Sequence, residues 1–570
     1  MPAARRNTPA DSIAEQSPPR PWGPSERRAL VDSLRDPDRP PWDLVVVGAG
    51  ITGAGIARDA AIRGLRTLVL EARDVAFGTS SRSSRLIHGG VRYLEQAFKK
   101  LDLGQLRQVR HGLEERHTVI KNAPHLARPQ ALLTPVSNWF QGLYLAIGLR
   151  IYDWIAGKKD PLPRSRWLSK KEALRRMPGL NPKGLHSAVL YYDGQHNDAR
   201  YCLAVAHTAA EAGAAVVNHL EVTGFRKDEN GKLTGLTAKD LTREAEPITV
   251  KARLFINCTG PFSDHIRQLA NPAQEHRIRP SKGVHVLLPF ATLNSHDAML
   301  IPKTPDGRVV FAIPFEGKVL LGTTDEDYPD SEKEPVLERR EVDFLLDTLA
   351  PYLVAPPSAD QVRAGFGGLR PLIAAKPGKS TKRLVRDHEV EHDPESNLLS
   401  LLGGKWTTYR LMAKDTLDKA CEILGTAAPC TTEEQLLVGA ANFREDGWKD
   451  LEGLPEDVAR HLSLAYGDRA DQVVWLTRQI PAYAERLVEG HPFIRAEVAY
   501  TVGNEMACTL RDILGRRMRL EITDWEAAKV AAPKVAALLG DFFEWDDTRV
   551  KLETEAYLAT VDGWERAAKG

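Results

Sequence analysis

The chain has 570 residues, of which 42% are hydrophobic and 27% are charged, so its composition is that of a globular protein and excludes wholesale disorder or a membrane-embedded bundle. Its length predicts two or three domains. The 77 lysines and arginines nearly balance 76 aspartates and glutamates, which gives no electrostatic reason to expect nucleic acid as a partner. Five cysteines without metal-ligand spacing favour a reducing compartment and no structural metal.

The amino-terminal segment differs in composition from the remainder of the chain. Residues 1–41 are rich in proline and arginine and contain no apolar stretch typical of a secretory signal. We therefore predict a flexible arm over residues 1–41, with a short helix at residues 25–35. No stretch of the chain is long and apolar enough to predict a transmembrane helix.

The rest of the chain changes character at about residue 430. From residue 42 to about 425, short β-rich runs alternate with helical patterns, which predicts an α/β body whose segments interleave between two subdomains. After residue 430 the apolar residues recur at helical spacing, as in residues 457–466 and 525–539. We therefore predict a body at residues 42–425 and a helical domain at residues 430–570.

A dinucleotide-binding fingerprint opens the body. The apolar run at residues 43–47 leads into Gly48, Gly50 and Gly53, then a helix, a second strand and Glu71. Gly48 suits a tight turn, Gly50 lets backbone approach a pyrophosphate, and Gly53 allows close packing of helix on sheet. The helix N-terminus favours phosphate, and Glu71 can accept hydrogen bonds from ribose hydroxyls. The fingerprint alone does not distinguish NAD from FAD as the bound dinucleotide. A flavoprotein reductase that takes electrons from NADH would carry a second fingerprint, and the sequence shows none.

Further motifs follow the fingerprint in a fixed order. They read SSRLIHGGVRYLE from residue 83, then YYDGQHNDAR, NCTGPFSD, KGVH, GTTD, GLRP and GGKWTTYR. With these motifs, between about residues 42 and 519, the chain resembles the FAD-dependent glycerol-3-phosphate dehydrogenases, and it is more similar to their mitochondrial branch than to the compact bacterial one. No calcium-binding loop follows the helical part, so calcium regulation is not implied.

The resemblance implies both the fold and the chemistry. The expected fold class is α/β, an α+β body in which a Rossmann-like parallel sheet binds FAD beside an antiparallel substrate-domain sheet, with a C-terminal α-helical domain. The implied cofactor is FAD. The implied reaction is oxidation of sn-glycerol 3-phosphate to dihydroxyacetone phosphate, with a membrane quinone as the electron acceptor.

Two arginines are the expected phosphate ligands. By the resemblance, Arg92 and Arg370 face the substrate, with Tyr93 beside them. A planar guanidinium can donate two parallel hydrogen bonds to a phosphate. Without the family, either arginine alone would be interpreted as a partner in a structural salt bridge.

His285 is the preferred general base. It lies in an apolar, β-prone run from which a neutral imidazole could face the flavin and accept the hydroxyl proton. A hydrogen-bonded core histidine is the alternative interpretation, and Arg370 or Lys405 could share the role of the base.

Several backbone turns and hydroxyls are expected to contact FAD. Gly404, Lys405 and Thr407 lie between an apolar run and a predicted helix, so N–H groups and the Lys405 ammonium could stabilise negative charge on the flavin. An ordinary Gly-Gly turn is the alternative. Gly260 resembles the family's second approach of backbone to the cofactor. Further candidates for hydrogen bonds to FAD are Ser80, Ser81 and Ser84.

A stripe of aromatic and aliphatic residues recurs at helical spacing between residues 139 and 154. Such a stripe is typical of a helix packed in a core, which is the interpretation we favour, and contact with a membrane surface or a quinone is the alternative.

The expected location is the cytoplasm, with peripheral association with the inner face of the plasma membrane. A homodimer is a possible assembly.

Three other functions stay open from the sequence. They are an oxidase that uses oxygen as acceptor, a flavin oxidase of amino or hydroxy acids, and a flavin-binding regulatory protein.

Overall fold

The computed structural model describes residues 22–90, 103–157, 162–301, 309–329, 333–374 and 388–570. Its strands are β1 Trp42–Val47, β2 Thr67–Leu70, β3 Leu86–Ile87, β4 Ala127–Val136, β5 Arg166–Ser169, β6 Ser187–His196, β7 Ala215–Val217, β8 Leu220–Lys227, β9 Leu233–Asp240, β10 Ile248–Asn257, β11 Ile278–Pro289, β12 Ala298–Ile301, β13 Val310–Phe315, β14 Lys318–Gly322, β15 Glu326–Asp327, β16 Ala364–Ile373, β17 His388–His392 and β18 Leu398–Gly403. Its α-helices are α1 Pro24–Ser33, α2 Ile51–Ile62, α3 Leu103–Asn122, α4 Trp139–Ala156, α5 Lys170–Arg176, α6 Asp198–Glu211, α7 Ser263–Ala270, α8 Arg339–Leu349, α9 Tyr409–Leu424, α10 Glu456–Tyr466, α11 Ala470–Gln479, α12 Arg495–Glu505, α13 Leu520–Thr523, α14 Trp525–Phe543 and α15 Asp547–Lys569.

The first sheet has eight strands and carries the fingerprint. Its main order is β17-β18-β10-β1-β2-β7, and β9 and β8 extend it from β10. The strands β18, β10, β1, β2 and β7 are parallel to one another, whereas β17 is antiparallel to β18 and β9 is antiparallel to β10. Helix α2 packs against α6 and α9 on one face of this sheet. Since a parallel sheet is covered on both faces, the central strand β1 is an almost unbroken run of buried apolar side chains.

The second sheet has ten strands and is antiparallel apart from the pair β12 and β4. Its main order is β15-β11-β14-β13-β12-β4-β6-β3, with β16 paired to β11 and β5 paired to β6. Strand β11 therefore lies between β14 and β16. In this register His285 stands opposite Gly322 on one side and Phe366 on the other, so it lies within the sheet and away from its edges.

The carboxyl-terminal part is helical and covers the second sheet. From residue 409 onward, where every residue is described, the regular elements are helices, including a π-helical turn at Asp512–Arg517. Buried Trp525 and Leu539 of α14 belong to the same apolar cluster as Leu287 and Leu320 of the sheet. The core thus continues from sheet to helices. The predicted combination of a parallel sheet, an antiparallel sheet and carboxyl-terminal helices is confirmed.

Residues 22–41 are packed on the body, so the predicted flexible arm over residues 1–41 is wrong for this part. Trp22 is 4% exposed, and its carbonyl oxygen accepts a hydrogen bond from the backbone N–H of Met506 at 2.9 Å. Arg27 of α1 forms a buried ion pair with Asp240 of β9 at 2.8 Å. The proline-rich composition did not indicate these contacts, because the partner residues Met506 and Asp240 are distant in sequence. Residues 1–21 lie outside the described residues.

Helix α4 contradicts the favoured interpretation of the apolar stripe as core. Along this 18-residue helix the buried residues are Gly142, Leu149 and Tyr152. The helix is apolar on almost every side, so packing one face leaves the others in solvent. The exposed fractions are 53% for Trp139, 78% for Phe140, 56% for Tyr144, 52% for Ile147 and 81% for Trp154. Among the described residues, no helix has the length and hydropathy needed to span a bilayer.

Candidate active site

The fingerprint glycines lie between β1 and α2, where backbone segments approach closely. A Cβ atom on Gly48, whose φ is +102°, would lie 2.8 Å from the carbonyl oxygen of Cys258. A Cβ atom on Gly53 would lie 1.9 Å from the carbonyl oxygen of Gly48. Gly50 is the N-cap of α2. Side chains are therefore excluded from this turn, so a phosphate can approach the backbone at the start of α2.

Glu71 lies beside the same turn, at the end of β2. Its carboxylate accepts hydrogen bonds from the backbone N–H groups of Ala49 at 2.7 Å and Arg73 at 2.9 Å. Burial raises the pKa of Glu71, and these two donors oppose that change. A fixed carboxylate next to a helix N-terminus that side chains cannot fill fits the ribose and pyrophosphate of FAD.

The loop that follows Glu71 is held by arginines of the carboxyl-terminal helices. Arg516 donates to Asp74 at 2.6 Å, and Arg517 donates to the same carboxylate. Arg519 donates to the carbonyl oxygen of Ser81 at 2.6 Å. All three arginines are buried. The positions of the serines in this loop are therefore set by a part of the chain more than four hundred residues away.

The three predicted serines have different partners. The hydroxyl of Ser80 accepts a hydrogen bond from the N–H of Ile51 at 2.9 Å, which ties the loop to the start of α2. The hydroxyl of Ser81 lies 3.4 Å from the carbonyl oxygen of Gly78. The hydroxyl of Ser84 reaches the second sheet, where it lies 2.9 Å from Nε2 of His285.

The imidazole of His285 occupies a closely fitted space on β11. Its ring stacks on Phe366 with 4.9 Å between ring centres and an angle of 19°. A Cβ atom on the facing Gly322 would lie 2.1 Å from Cδ2 of His285. Only a glycine at this position leaves room for the ring. The GTTD motif thus contributes space for the histidine, a role that the motif alone did not indicate.

His285 is uncharged at neutral pH. Burial lowers its pKa to about 3, and the guanidinium groups of Arg370 and Arg85 act in the same direction, whereas Asp198 opposes them. Its Nδ1 atom has no hydrogen-bond partner among the residues that the structure describes. A neutral imidazole is able to accept a proton.

Arg370 lies across the same strand as His285. A Cβ atom on Gly283 would lie 2.4 Å from its Nη2 atom, and Nη2 donates to the hydroxyl of Thr323 at 2.8 Å. The carboxylate of Asp325 is 3.6 Å from Nη1, and the arginine side chain is 30% exposed. Since Gly283 and His285 are two residues apart in one strand, they share a face of the sheet. A partly exposed guanidinium and a buried neutral imidazole therefore lie on one face.

The turns predicted to approach the flavin lie at one edge of the first sheet. Gly260 follows β10 and opens a short 3-10 turn. Gly404 and Lys405 follow β18, and Lys405 is the N-cap of the turn Trp406–Thr408, in which Thr407 is buried. Because β18, β10 and β1 are parallel neighbours, these turns and Gly48 meet at the carboxyl edge of the sheet.

The structure therefore brings most of the predicted site together. The fingerprint and Glu71 lie at the first sheet, His285 and Arg370 lie on the second, and the loop carrying Ser84 joins them. Arg92 and Tyr93 lie outside the described residues, and the roles of all these side chains stay predictions. Two side chains close to the site were missed although their motifs were recognised. They are Thr323, whose hydroxyl accepts a hydrogen bond from Arg370, and Arg85, whose charge lowers the pKa of His285.

Two family models match the chain. Residues 43–409 match the model described as FAD dependent oxidoreductase. Residues 430–550 match the model described as the C-terminal domain of alpha-glycerophosphate oxidase. The first model covers the sheets that carry the fingerprint and His285, and the second covers the helices whose arginines hold the loop.

Curated relatives and a solved structure are similar over most of the chain. "Probable glycerol-3-phosphate dehydrogenase, mitochondrial" of Caenorhabditis elegans is 39% identical over 98% of this chain and 78% of its own length. The mitochondrial glycerol-3-phosphate dehydrogenase of Homo sapiens is 38% identical over 93% of this chain and 74% of its own. The X-ray structure of the Bacillus halodurans glycerol-3-phosphate dehydrogenase complexed with FAD has a TM-score of 0.77 and 27% identity, and covers 96% of this chain and 98% of that chain. The protein therefore belongs to the family of FAD-dependent glycerol-3-phosphate dehydrogenases.

Proposed function

We propose that the protein uses FAD to oxidise sn-glycerol 3-phosphate to dihydroxyacetone phosphate and passes the electrons to a membrane quinone. One observation carries the proposal. Arg370 belongs to β16, but its guanidinium lies over Gly283 of β11, on the face of the sheet that carries His285, so a cation suited to phosphate and a neutral base share one face. The names of the relatives support the same substrate.

The reaction removes a hydride from a secondary carbon and a proton from its hydroxyl. Bound FAD supplies the hydride acceptor. In the proposal His285 takes the hydroxyl proton at a ring nitrogen, and Arg370 holds the phosphate by paired hydrogen bonds, assisted by Arg92 and Tyr93. Lys405 and the N–H groups of its turn stabilise the negative charge that the cofactor gains.

Anaerobic mixing of the purified holoenzyme with glycerol 3-phosphate tests the substrate and the acceptor together. Flavin absorbance is followed before and after addition of a water-soluble quinone analogue. We expect rapid bleaching and a recovery that is much faster with the quinone than with air. Absence of bleaching with glycerol 3-phosphate would overturn the proposed substrate.

The rival functions give different results in the same experiment. An oxidase would recover its colour in air and form one hydrogen peroxide per turnover. An oxidase of amino or hydroxy acids would bleach with those acids and not with glycerol 3-phosphate. A flavin-binding regulatory protein would keep its colour with all of these substrates.

Helix α4 supports contact with a bilayer, in which a quinone resides. Its exposed side chains are large and apolar, with tryptophan near both ends, a composition typical of helices that lie in a membrane interface. Its exposed Arg150 could pair with an anionic headgroup. A shallow, open surface on this helix is formed by Ala146, Ile147, Arg150, Ile151 and Trp154.

Replacing Phe140 or Trp154 with aspartate should weaken membrane binding without affecting the chemistry. Each change removes an exposed aromatic side chain from the proposed contact, so we expect roughly tenfold weaker binding to vesicles of mixed zwitterionic and anionic phospholipid. Turnover with a soluble quinone analogue should stay at the level of the unmodified enzyme. Vesicle sedimentation and a turnover assay measure the two quantities.

Trp475 of α11 provides the matched control, since it is also an exposed tryptophan, at 56%. Trp475→Asp should leave vesicle binding unchanged. Equal loss of binding in the control and in the α4 variants, or no loss in either, would contradict the assignment of α4. Association with the inner face of the plasma membrane and a homodimeric assembly stay predictions.

A further inference from the structure

Arg85 is a buried cation that follows Ser84 in the loop reaching His285. Its side chain has no solvent exposure, and none of its three guanidinium nitrogens has a hydrogen-bond partner within the described part of the chain. Its Cζ atom lies 3.5 Å from the centre of the Phe315 ring. Burial, and next the charge of Arg519, lower the pKa of Arg85 to about 9, so the guanidinium is still charged at neutral pH.

The carboxylate next to Arg85 is shared with other donors. Oδ1 of Asp198 is 3.8 Å from Nε of Arg85 and also accepts a hydrogen bond from Arg519 at 2.8 Å. Its Oδ2 atom accepts hydrogen bonds from the hydroxyl and N–H of Ser83. Glu316 also raises the pKa of Arg85, but Glu316 is exposed, so its charge is screened by solvent. Two buried guanidinium groups thus face one buried carboxylate, which leaves this cluster net positive.

Phe366 lies against both Arg85 and His285. Cζ of Arg85 is 5.7 Å from the centre of the Phe366 ring, and the imidazole of His285 stacks on the same ring. Within the described ranges, the other charged groups that shift the pKa of His285 are Arg370, which lowers it, and Asp198, which raises it. A phosphate dianion bound to Arg370 would offset the charge of that arginine. Of the described arginines that act on His285, Arg85 is then the one whose charge still opposes protonation in the substrate complex.

We propose that Arg85 is a positioning residue of the reaction, whose buried charge keeps His285 unprotonated while the substrate phosphate is bound to Arg370. The inference rests on the proposed roles of His285 and Arg370. Because a protonated imidazole cannot accept the hydroxyl proton, burial and the charge of Arg85 together would lower the pH limit below which oxidation stops. Removing the charge favours protonation, so the acidic limb of the rate profile should move to higher pH.

The first test compares the holoenzyme with Arg85→Met and Arg85→Lys at saturating glycerol 3-phosphate. In a plot of flavin reduction rate against pH, we expect Arg85→Met to shift the acidic limb about one pH unit higher. The variant should then reduce its flavin about tenfold more slowly than the unmodified enzyme at the acidic end, and at the same rate on the alkaline plateau. Arg85→Lys keeps the charge and should keep the original limb. Arg116→Met, which removes another buried arginine paired with Asp193, is the control and should not move the limb.

The second test observes His285 itself by nuclear magnetic resonance of nitrogen-15 histidine in the holoenzyme, with inorganic phosphate as the probe. His285→Asn identifies the signal. Protonation should begin at higher pH in Arg85→Met than in the unmodified protein. Asp198→Asn removes the opposing carboxylate and should move protonation the other way. Arg85→Gln removes the same positive charge and takes the place of Arg85→Met if that variant does not fold.

The two measurements separate the inference from the function on which it rests. An unchanged limb and an unchanged His285 signal in Arg85→Met would overturn the inference, as would an equal change in Arg85→Lys. If His285→Asn reduced its flavin at the unmodified rate, the proposed base would be wrong, while the resonance signal would still report whether Arg85 acts on the imidazole.

Discussion

Replacing His285 with asparagine should slow flavin reduction by glycerol 3-phosphate about 10²–10⁴-fold, the usual contribution of a general base. The imidazole is buried, uncharged, and has a ring nitrogen without a partner among the described residues. Asparagine is smaller and cannot take up the proton. Rapid mixing under anaerobic conditions measures the reduction rate, and flavin absorbance per protein measures how much FAD is retained.

FAD content should stay close to that of the unmodified protein, because the fingerprint and Glu71 belong to the other sheet. His276→Asn is the control, since the side chain of His276 is 77% exposed. A His285→Asn variant that retains FAD and reduces it at the unmodified rate would remove His285 from the chemistry. Parallel loss of FAD and activity would instead indicate a structural role.

Replacing Arg370 with alanine should lower kcat/KM for glycerol 3-phosphate roughly 10²-fold, since each hydrogen bond from a charged donor contributes about 1.5–3 kcal/mol. Much of the loss should appear as a higher KM, because the phosphate is the part of the substrate that the guanidinium is proposed to hold. Lysine at this position keeps the charge and loses the planar pair of donors, so it should restore only part of the activity.

Comparing glycerol with glycerol 3-phosphate shows whether Arg370 binds the phosphate or supports the site in another way. If Arg370 binds phosphate, Arg370→Ala should reduce its flavin with a high concentration of unphosphorylated glycerol at the same rate as the unmodified protein. Arg279→Ala is the matched control, because Arg279 lies on β11 and forms an exposed ion pair with Asp327. An equal loss with glycerol and glycerol 3-phosphate would contradict the phosphate assignment.

Local patterns predicted the parts of the fold in which neighbours in sequence are neighbours in space. The strand, glycine turn, helix and second strand from residue 42 to 71 were recognised because their spacing and residue types depend on each other. The family motifs then indicated His285 and Arg370. Their position on one face of the second sheet depends on the pairing of β11, which carries His285, with β16, which carries Arg370, and no local pattern specifies that pairing.

The errors have a different physical origin. Trp22 is hydrogen-bonded to Met506 and Arg27 is ion-paired with Asp240, so the proline-rich sequence around them does not predict that they pack on the body. The stripe in α4 has the same periodicity whether it faces a core or a bilayer, since both remove apolar surface from water. Arg85 was missed because a buried cation within a serine-rich loop gives no periodic signal.

The anchoring of Asp74 by Arg516 has a consequence for how the protein is made. The fingerprint leaves the ribosome early, but the two residues are 442 positions apart, so the loop beside it gains its anchor only when synthesis is almost complete. Contacts of such long range form late in folding. A nascent chain therefore carries the glycine turn for most of its synthesis without this anchor, and a product that ends before residue 516 never gains it.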